Sequence, residues 1–185
     1  MFDLDTFLDE CLSARAETEP RLAVKDVLER ALTRPEEVAA ALPPVRAEIV
    51  RLHVSPELTV LKVVWAPGMS LKPHDHRMWA SIGIFSGGED NAFYRRAGTG
   101  LTESGGKELR PRDVCLLGDD TVHAVMNPTT EFAGAIHIYG GDFFSVPRSE
   151  WVQDDPNGVF AERPYDVEDT LRTFEEANER AFNTN

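Results

Sequence analysis

Between residues 45 and 147 the chain alternates repeatedly between a short β-forming run and a glycine-rich turn. ELTVLKVVW leads to PGM, WASIGIF to SGGED, NAFYRR to AGTG and SGG, DVCLL to GDD, and FAGAIHIY to GGD. Val, Ile, Leu and aromatic residues fill the runs, and Gly, Pro, Asp and Ser fill the gaps. Short strands at regular spacing with turns of this kind build an all-β sandwich or barrel.

The flanks read differently. In residues 1–44, Leu4, Phe7, Leu8, Cys11 and Leu12 recur at helical spacing behind Asp3 and Asp5, which suit a helix N-terminus. A second stripe follows Pro20: Val24, Val27, Leu28, Ala31 and Leu32. Thr33 and Glu36 have the spacing of a capping box for a third helix, which Pro43-Pro44 ends. In residues 148–185, Asp166 is a plausible cap. Val167, Leu171, Phe174, Asn178 and Ala181 form one stripe, and Glu175, Glu176 and Glu179 a solvated face. With 185 residues the expectation is one domain: a helical extension, a β-barrel over 45–147, and a C-terminal helix.

Charge narrows the partners. The formal charge of −13 argues against nucleic acid and anionic membranes, which need a basic footprint. No stretch approaches the ~20 apolar residues of a membrane span, and the acidic N-terminus lacks the pattern of a signal peptide. Cys11 and Cys115 lack metal or redox spacing. Free thiols in a reducing cytoplasm, in a monomer or homodimer, are the expectation. Cys115, in DVCLL, reads as a small buried hydrophobe.

Of five histidines, His74 and His76 lie two apart in GMSLKPHDHRMWAS. On a strand, residues i and i+2 share a face, so both imidazoles would project together and suit one metal. His123, at the start of a later strand in GDDTVHAVMN, can close a three-nitrogen face. Asp75, between the pair, would point the other way. His137 and Tyr139 in AIHIYGG are again two apart and face inward together.

Gly68, five residues, then His74-x-His76 resembles the first motif of the cupin superfamily, and His123-x-x-x-Asn127 the end of the second. Cupins commonly carry a glutamate ligand four or five residues after the second histidine; here those positions are Ala80 and Ser81. A three-histidine set without carboxylate resembles the thiol dioxygenase branch, which includes cysteine dioxygenase and 3-mercaptopropionate dioxygenase. WAPGMSLKPHDHRMW is similar to the bacterial pattern of that branch. Its Ser-x-His-x-Tyr relay is matched by His137 and Tyr139, with Ala135 in place of the serine. The resemblance covers about residues 48–144.

The resemblance implies a mainly β cupin double-stranded β-helix, or jelly-roll barrel. It implies a metal on His74, His76 and His123, with Fe(II) favoured over nickel, zinc or manganese. A small thiol and O2 would be the substrates and a sulfinate the product. Tyr139 would donate a hydrogen bond to substrate or oxygen, with His137 orienting it. The branch grips a substrate carboxylate with an arginine on an early strand, and that position falls on Ile49. Arg51, two residues on, would share the face and substitute. Trp79 is expected in the pocket wall with the substrate, and His53 is a further pocket candidate. Glu89 lies well beyond the usual ligand position and is not expected as a fourth ligand. The alternatives are a cupin metalloenzyme of another reaction class, such as an isomerase, hydrolase or non-thiol dioxygenase, or a small-molecule-binding module.

Overall fold

The computed structural model describes residues 1–98, 100–153 and 159–183. Residues 154–158 and 184–185, which fall in the expected C-terminal segment, lie outside them. Three helices lead: α1 (Leu4–Arg15), α2 (Pro20–Ala31) and α3 (Pro35–Ala41). Eleven strands follow among the described residues: β1 (Glu48–Val54), β2 (Thr59–Trp65), β3 (Ser70–Asp75), β4 (Ala80–Ser86), β5 (Glu89–Ala97), β6 (Gly100–Leu109), β7 (Val114–Leu117), β8 (Val122–Met126), β9 (Ala133–Tyr139), β10 (Ser149–Val152) and β11 (Ala161–Pro164). Helix α4 (Val167–Asn183) closes the chain.

The strands form two antiparallel sheets, ordered β1-β2-β9-β4-β7 and β11-β10-β3-β8-β5-β6. Counting from β2 to β9, one sheet holds the first, eighth, third and sixth strands, and the other the second, seventh, fourth and fifth. That order is the pair of nested Greek keys of a jelly roll. Pairing first with last folds the 59–139 stretch back on itself, so residues far apart in sequence face each other across one barrel.

The five-stranded sheet is covered on both faces. Along β9, Ala135 and Tyr139 point into the barrel core with Leu61, Val63 and Ile82, while Ile136 and Ile138 pack outward against Val24, Val27 and Leu28 of α2. All seven residues of β9 are buried for that reason. Gly83 shows how close the helices lie: a Cβ there would stand 2.5 Å from Leu32 Cδ1. Gly68 turns the chain into β3 with φ +67, a left-handed conformation that glycine adopts without strain.

The helices follow their sequence patterns with local departures. Thr6 N–H donates to Asp3 Oδ1 at 2.8 Å, capping α1, and Asp169 N–H donates to Asp166 Oδ1 at 2.9 Å, capping α4. The capping box expected at Thr33 does not form. Its hydroxyl donates back to Arg30 O at 2.7 Å, and Arg34 occupies the cap position of α3 without a side-chain capping bond. On α4 the buried face is Thr170, Phe174, Ala177 and Asn178, while Val167 and Leu171 are each 49% exposed. Asn178 decides that rotation. Its side chain takes both backbone groups of Ala47, at 2.7 and 2.9 Å, and Phe174 stacks on Trp65 at 5.4 Å between ring centroids. Helix α4 thus seals one side of the barrel against the entry to β1.

Candidate metal centre

His74 lies at the end of β3 and pairs directly with His123 on β8. The ladder shifts register between Leu71 and His74, and β3 ends at Asp75, so His76 is already past the strand. The next residue, Arg77, has φ 56 and turns the chain away. The three imidazoles nevertheless converge as the sequence spacing predicts, with ring centroids 4.7 to 5.1 Å apart. One nitrogen from each can be chosen so that all lie within 4.8 Å of one another.

The other nitrogens say which atoms point inward. His74 Nδ1 lies 2.9 Å from Lys72 O, and His123 Nδ1 lies 2.7 Å from Asn91 Oδ1. Both partners are acceptors, so both Nδ1 atoms carry hydrogen and both Nε2 atoms present lone pairs. His76 Nε2 is 2.9 Å from His123 Nε2, and His76 Nδ1 is buried with no partner. Burial pushes the His74 imidazole down to about 4 and holds His76 and His123 well below 6.5. Three neutral, buried, converging nitrogens are a donor set that suits a borderline divalent cation. Asp75, buried between the ligands, pairs with Arg77 and Arg96 at 2.6 Å and accepts from Ser149 N–H, bracing the turn from outside.

The histidines open on a cavity of about 30 Å³ whose apolar walls include Leu61, Val63, Leu71, Val125 and Phe143. Ala80 and Ser81 part company here. Ala80 belongs to the inner core with Tyr139, whereas Ser81 shares the outward face of β4 with Gly83, toward the helices. Neither supplies a ligand, and among the described residues no carboxylate joins the three histidines.

His137 and Tyr139 line the same cavity, Nδ1 to hydroxyl 3.0 Å apart. The Tyr139 ring stands 5.0 Å from that of His76, and burial pushes its phenol far above its ordinary range. Behind them lies Glu89, which sequence reasoning set aside as a ligand. It is fully buried and accepts from Trp65 Nε1 at 2.8 Å and Asn91 Nδ2 at 3.0 Å, with His137 Nε2 at 3.3 Å. Burial alone would raise its carboxyl, but the bonds from His137, Asn91 and Trp65 outweigh that and hold it below 4.5. A sequence signal existed: Glu89 and Asn91 are two apart on a strand, so they share a face.

The remaining expected residues stand elsewhere. Trp79 is half-buried against the helical layer, its indole in the space a Gly140 side chain would need, and does not line the histidine cavity. Arg51 lines a neighbouring hollow of about 120 Å³, with its guanidinium 3.8 Å over the Phe144 ring. His53 lines neither space. Cys115 is buried in the core, as its setting predicts.

Arg148 was not foreseen. It borders that hollow, stacked between Phe143 at 4.0 Å and Tyr165 at 4.1 Å, two rings that also line the histidine cavity. Its Nη1 donates to Phe143 O, its Nε is buried without a partner, and among the described residues it forms no ion pair. After burial, its charge adds to what holds His74 and His76 neutral. No periodicity marks a lone arginine in a loop, so the sequence carried no signal for it.

No protein-family model matches the chain. Among solved structures, it is similar to a cupin superfamily protein from Desulfitobacterium hafniense, at 18% identity and TM-score 0.45, over 56% of this chain and 87% of that one. It is similar to peruvianin-I, a cysteine peptidase from Thevetia peruviana latex, at 22% identity and TM-score 0.40, over 46% of this chain and 51% of that one. An oxalate oxidase bound to glycolate gives 16% identity and TM-score 0.41, over 46% of this chain and 42% of that one. The chain thus spans about half the length of peruvianin-I and less of the oxalate oxidase. At these values nothing about ligand or reaction passes from those proteins to this one. The chain's own strand order defines the class: a mainly β double-stranded β-helix of cupin type, with helices at both ends and a three-histidine group that could hold a metal.

Proposed function

We propose that this protein is a non-haem iron thiol dioxygenase acting on a small thiol that bears a carboxylate. The observation that carries the reading is a set of three neutral imidazoles with no carboxylate among them, sharing one cavity with Tyr139. Bound there, a ferrous ion would keep its full charge and offer open positions where a thiolate and O2 react. The overall change is R–SH + O2 → R–SO2H, both oxygen atoms passing to sulfur with no external reductant.

The chain's own residues do the rest. Arg148, without an acidic partner among the described residues and with a free buried N–H, reads the substrate carboxylate. Phe143 and Tyr165 fix its guanidinium plane, so little freedom is lost on binding. Leu61, Val63, Val125 and Phe143 keep water from the sulfur, and Tyr139 is the hydroxyl next to the imidazoles.

The test is oxygen uptake by protein loaded anaerobically with Fe(II), against cysteine, 3-mercaptopropionate, cysteamine and a thiol-free carboxylate. Uptake with a carboxylated thiol, sulfinate as product, and loss of both in His123→Ala are expected. No uptake with any thiol at stoichiometric iron would sink the reading.

A further inference from the structure

One buried carboxylate touches both halves of the site. Glu89 Oε1 receives Asn91 Nδ2–H at 3.0 Å, and Asn91 Oδ1 lies 2.7 Å from His123 Nδ1. Glu89 Oε2 lies 2.8 Å from Trp65 Nε1 and 3.3 Å from His137 Nε2, and His137 Nδ1 lies 3.0 Å from the Tyr139 hydroxyl. Every member from Trp65 to Tyr139 is buried.

We infer that Glu89 is a positioning residue that sets the hydrogen-bond polarity of the whole site, dictating the tautomer of the metal ligand His123 on one side and the direction of the Tyr139 hydroxyl on the other. The reason is that an ionised carboxylate only accepts. Asn91 must therefore turn its NH2 toward Glu89, which leaves its oxygen facing His123. His123 Nδ1 must then carry the hydrogen, and Nε2 is bare toward the other imidazoles. On the other branch, His137 must present Nε2–H to Glu89, which in the neutral imidazole leaves Nδ1 bare. The Tyr139 O–H then donates to His137 and turns its oxygen lone pairs toward the cavity. This reverses the donor role expected for Tyr139 from the sequence and makes it an acceptor for a substrate N–H. The two histidines are held in opposite tautomers by one group.

A neutral residue would not do this. The serine that the relay pattern calls for is Ala135, and a hydroxyl there could donate or accept and leave His137 undetermined. Glutamine at 89 would bring its own NH2 to one side. That NH2 would face either the Asn91 NH2 or the His137 Nε2–H, and one branch would have to invert. The inference rests on the three-histidine centre and not on the identity of the thiol.

Long-range ¹H–¹⁵N correlation of the imidazoles in the metal-free, full-length protein tests it. His123 is expected as the Nδ1–H form and His137 as the Nε2–H form, assigned by loss of each signal in its own substitution. Finding His123 as Nε2–H or His137 as Nδ1–H in the wild type overturns the inference, without any variant at 89. In Glu89→Gln at least one of the two tautomers should invert, and Co(II), used as probe, should bind 10–100-fold more weakly if the His123 branch is the one that inverts. A packing role alone would lower the melting temperature and leave both tautomers as they were; that result overturns the inference. Because no thiol is present, absence of thiol oxidation would leave it standing.

Discussion

His74 and His123, 49 positions apart in sequence, are direct partners across the β3–β8 ladder. That pairing is what makes a metal site of three residues that no local rule brings together. The first strand after the Gly68 turn meets the strand that returns five strands later in the jelly roll, and both imidazoles point into the same cavity.

The metal content should follow the histidines one by one. Wild type reconstituted with Fe(II) or Co(II) is expected to hold one ion per chain by elemental analysis. His76→Ala and His123→Ala should each hold close to none, since two imidazoles remain for a cation that needs at least three protein ligands. Full occupancy in either variant would count against the centre.

Arg148 should govern recognition and not turnover of every thiol. Replacing it with methionine keeps the bulk between Phe143 and Tyr165 and removes a charge-assisted bond of roughly 1.5–3 kcal/mol. That corresponds to a fall of about 10–100-fold in kcat/KM for carboxylated thiols, with cysteamine little affected. An equal loss for both classes would remove Arg148 from the carboxylate site.

Acid should destabilise the metal-free protein before the carboxylates titrate. The folded state holds the His74 imidazole at about 4, against 6.5 in the unfolded chain. A depressed folded value means that the unfolded state binds the extra proton, so stability is complete above pH 6.5 and falls as pH drops toward 4. His74 alone contributes roughly 3 kcal/mol across that window, with His76 and His123 adding in the same direction. Urea midpoints at pH 7, 6, 5 and 4.5 would show the decline. A flat profile would mean that the imidazoles are not held neutral.

The helical layer should be sensitive to a single methyl group. Gly83→Ala would put a Cβ within 2.5 Å of Leu32 and 2.9 Å of Leu28. Overpacking of this kind costs about 1–3 kcal/mol, or roughly 2–12 °C in Tm for a domain of this size. An unchanged melting temperature would mean that the helices sit on the sheet more loosely than the contacts indicate.

Trp79→Phe separates fold from function in the same way. Its indole packs against the helices and not in the histidine cavity, so stability should fall while KM for the thiol stays the same.

The sequence by itself determined the alternation of short strands and glycine turns, the helical flanks, and the shared face of His74 and His76. These are local facts: a period of two fixes which side chains share a face, and turn residues fix where a strand ends. His137 and Tyr139 were legible for the same reason. It could not place Arg148, which reaches the site from a loop and is held by two rings from other segments. Nor could it tell that Trp79 faces the helices, since that depends on which side of the sheet α1–α3 cover. Glu89 is the clearest case. Its spacing from Asn91 was readable, but its role exists only because the jelly roll sets β5 beside β8 and brings Trp65 and His137 up to the same carboxylate. Local spacing selects a face, and only the closed barrel decides which faces meet.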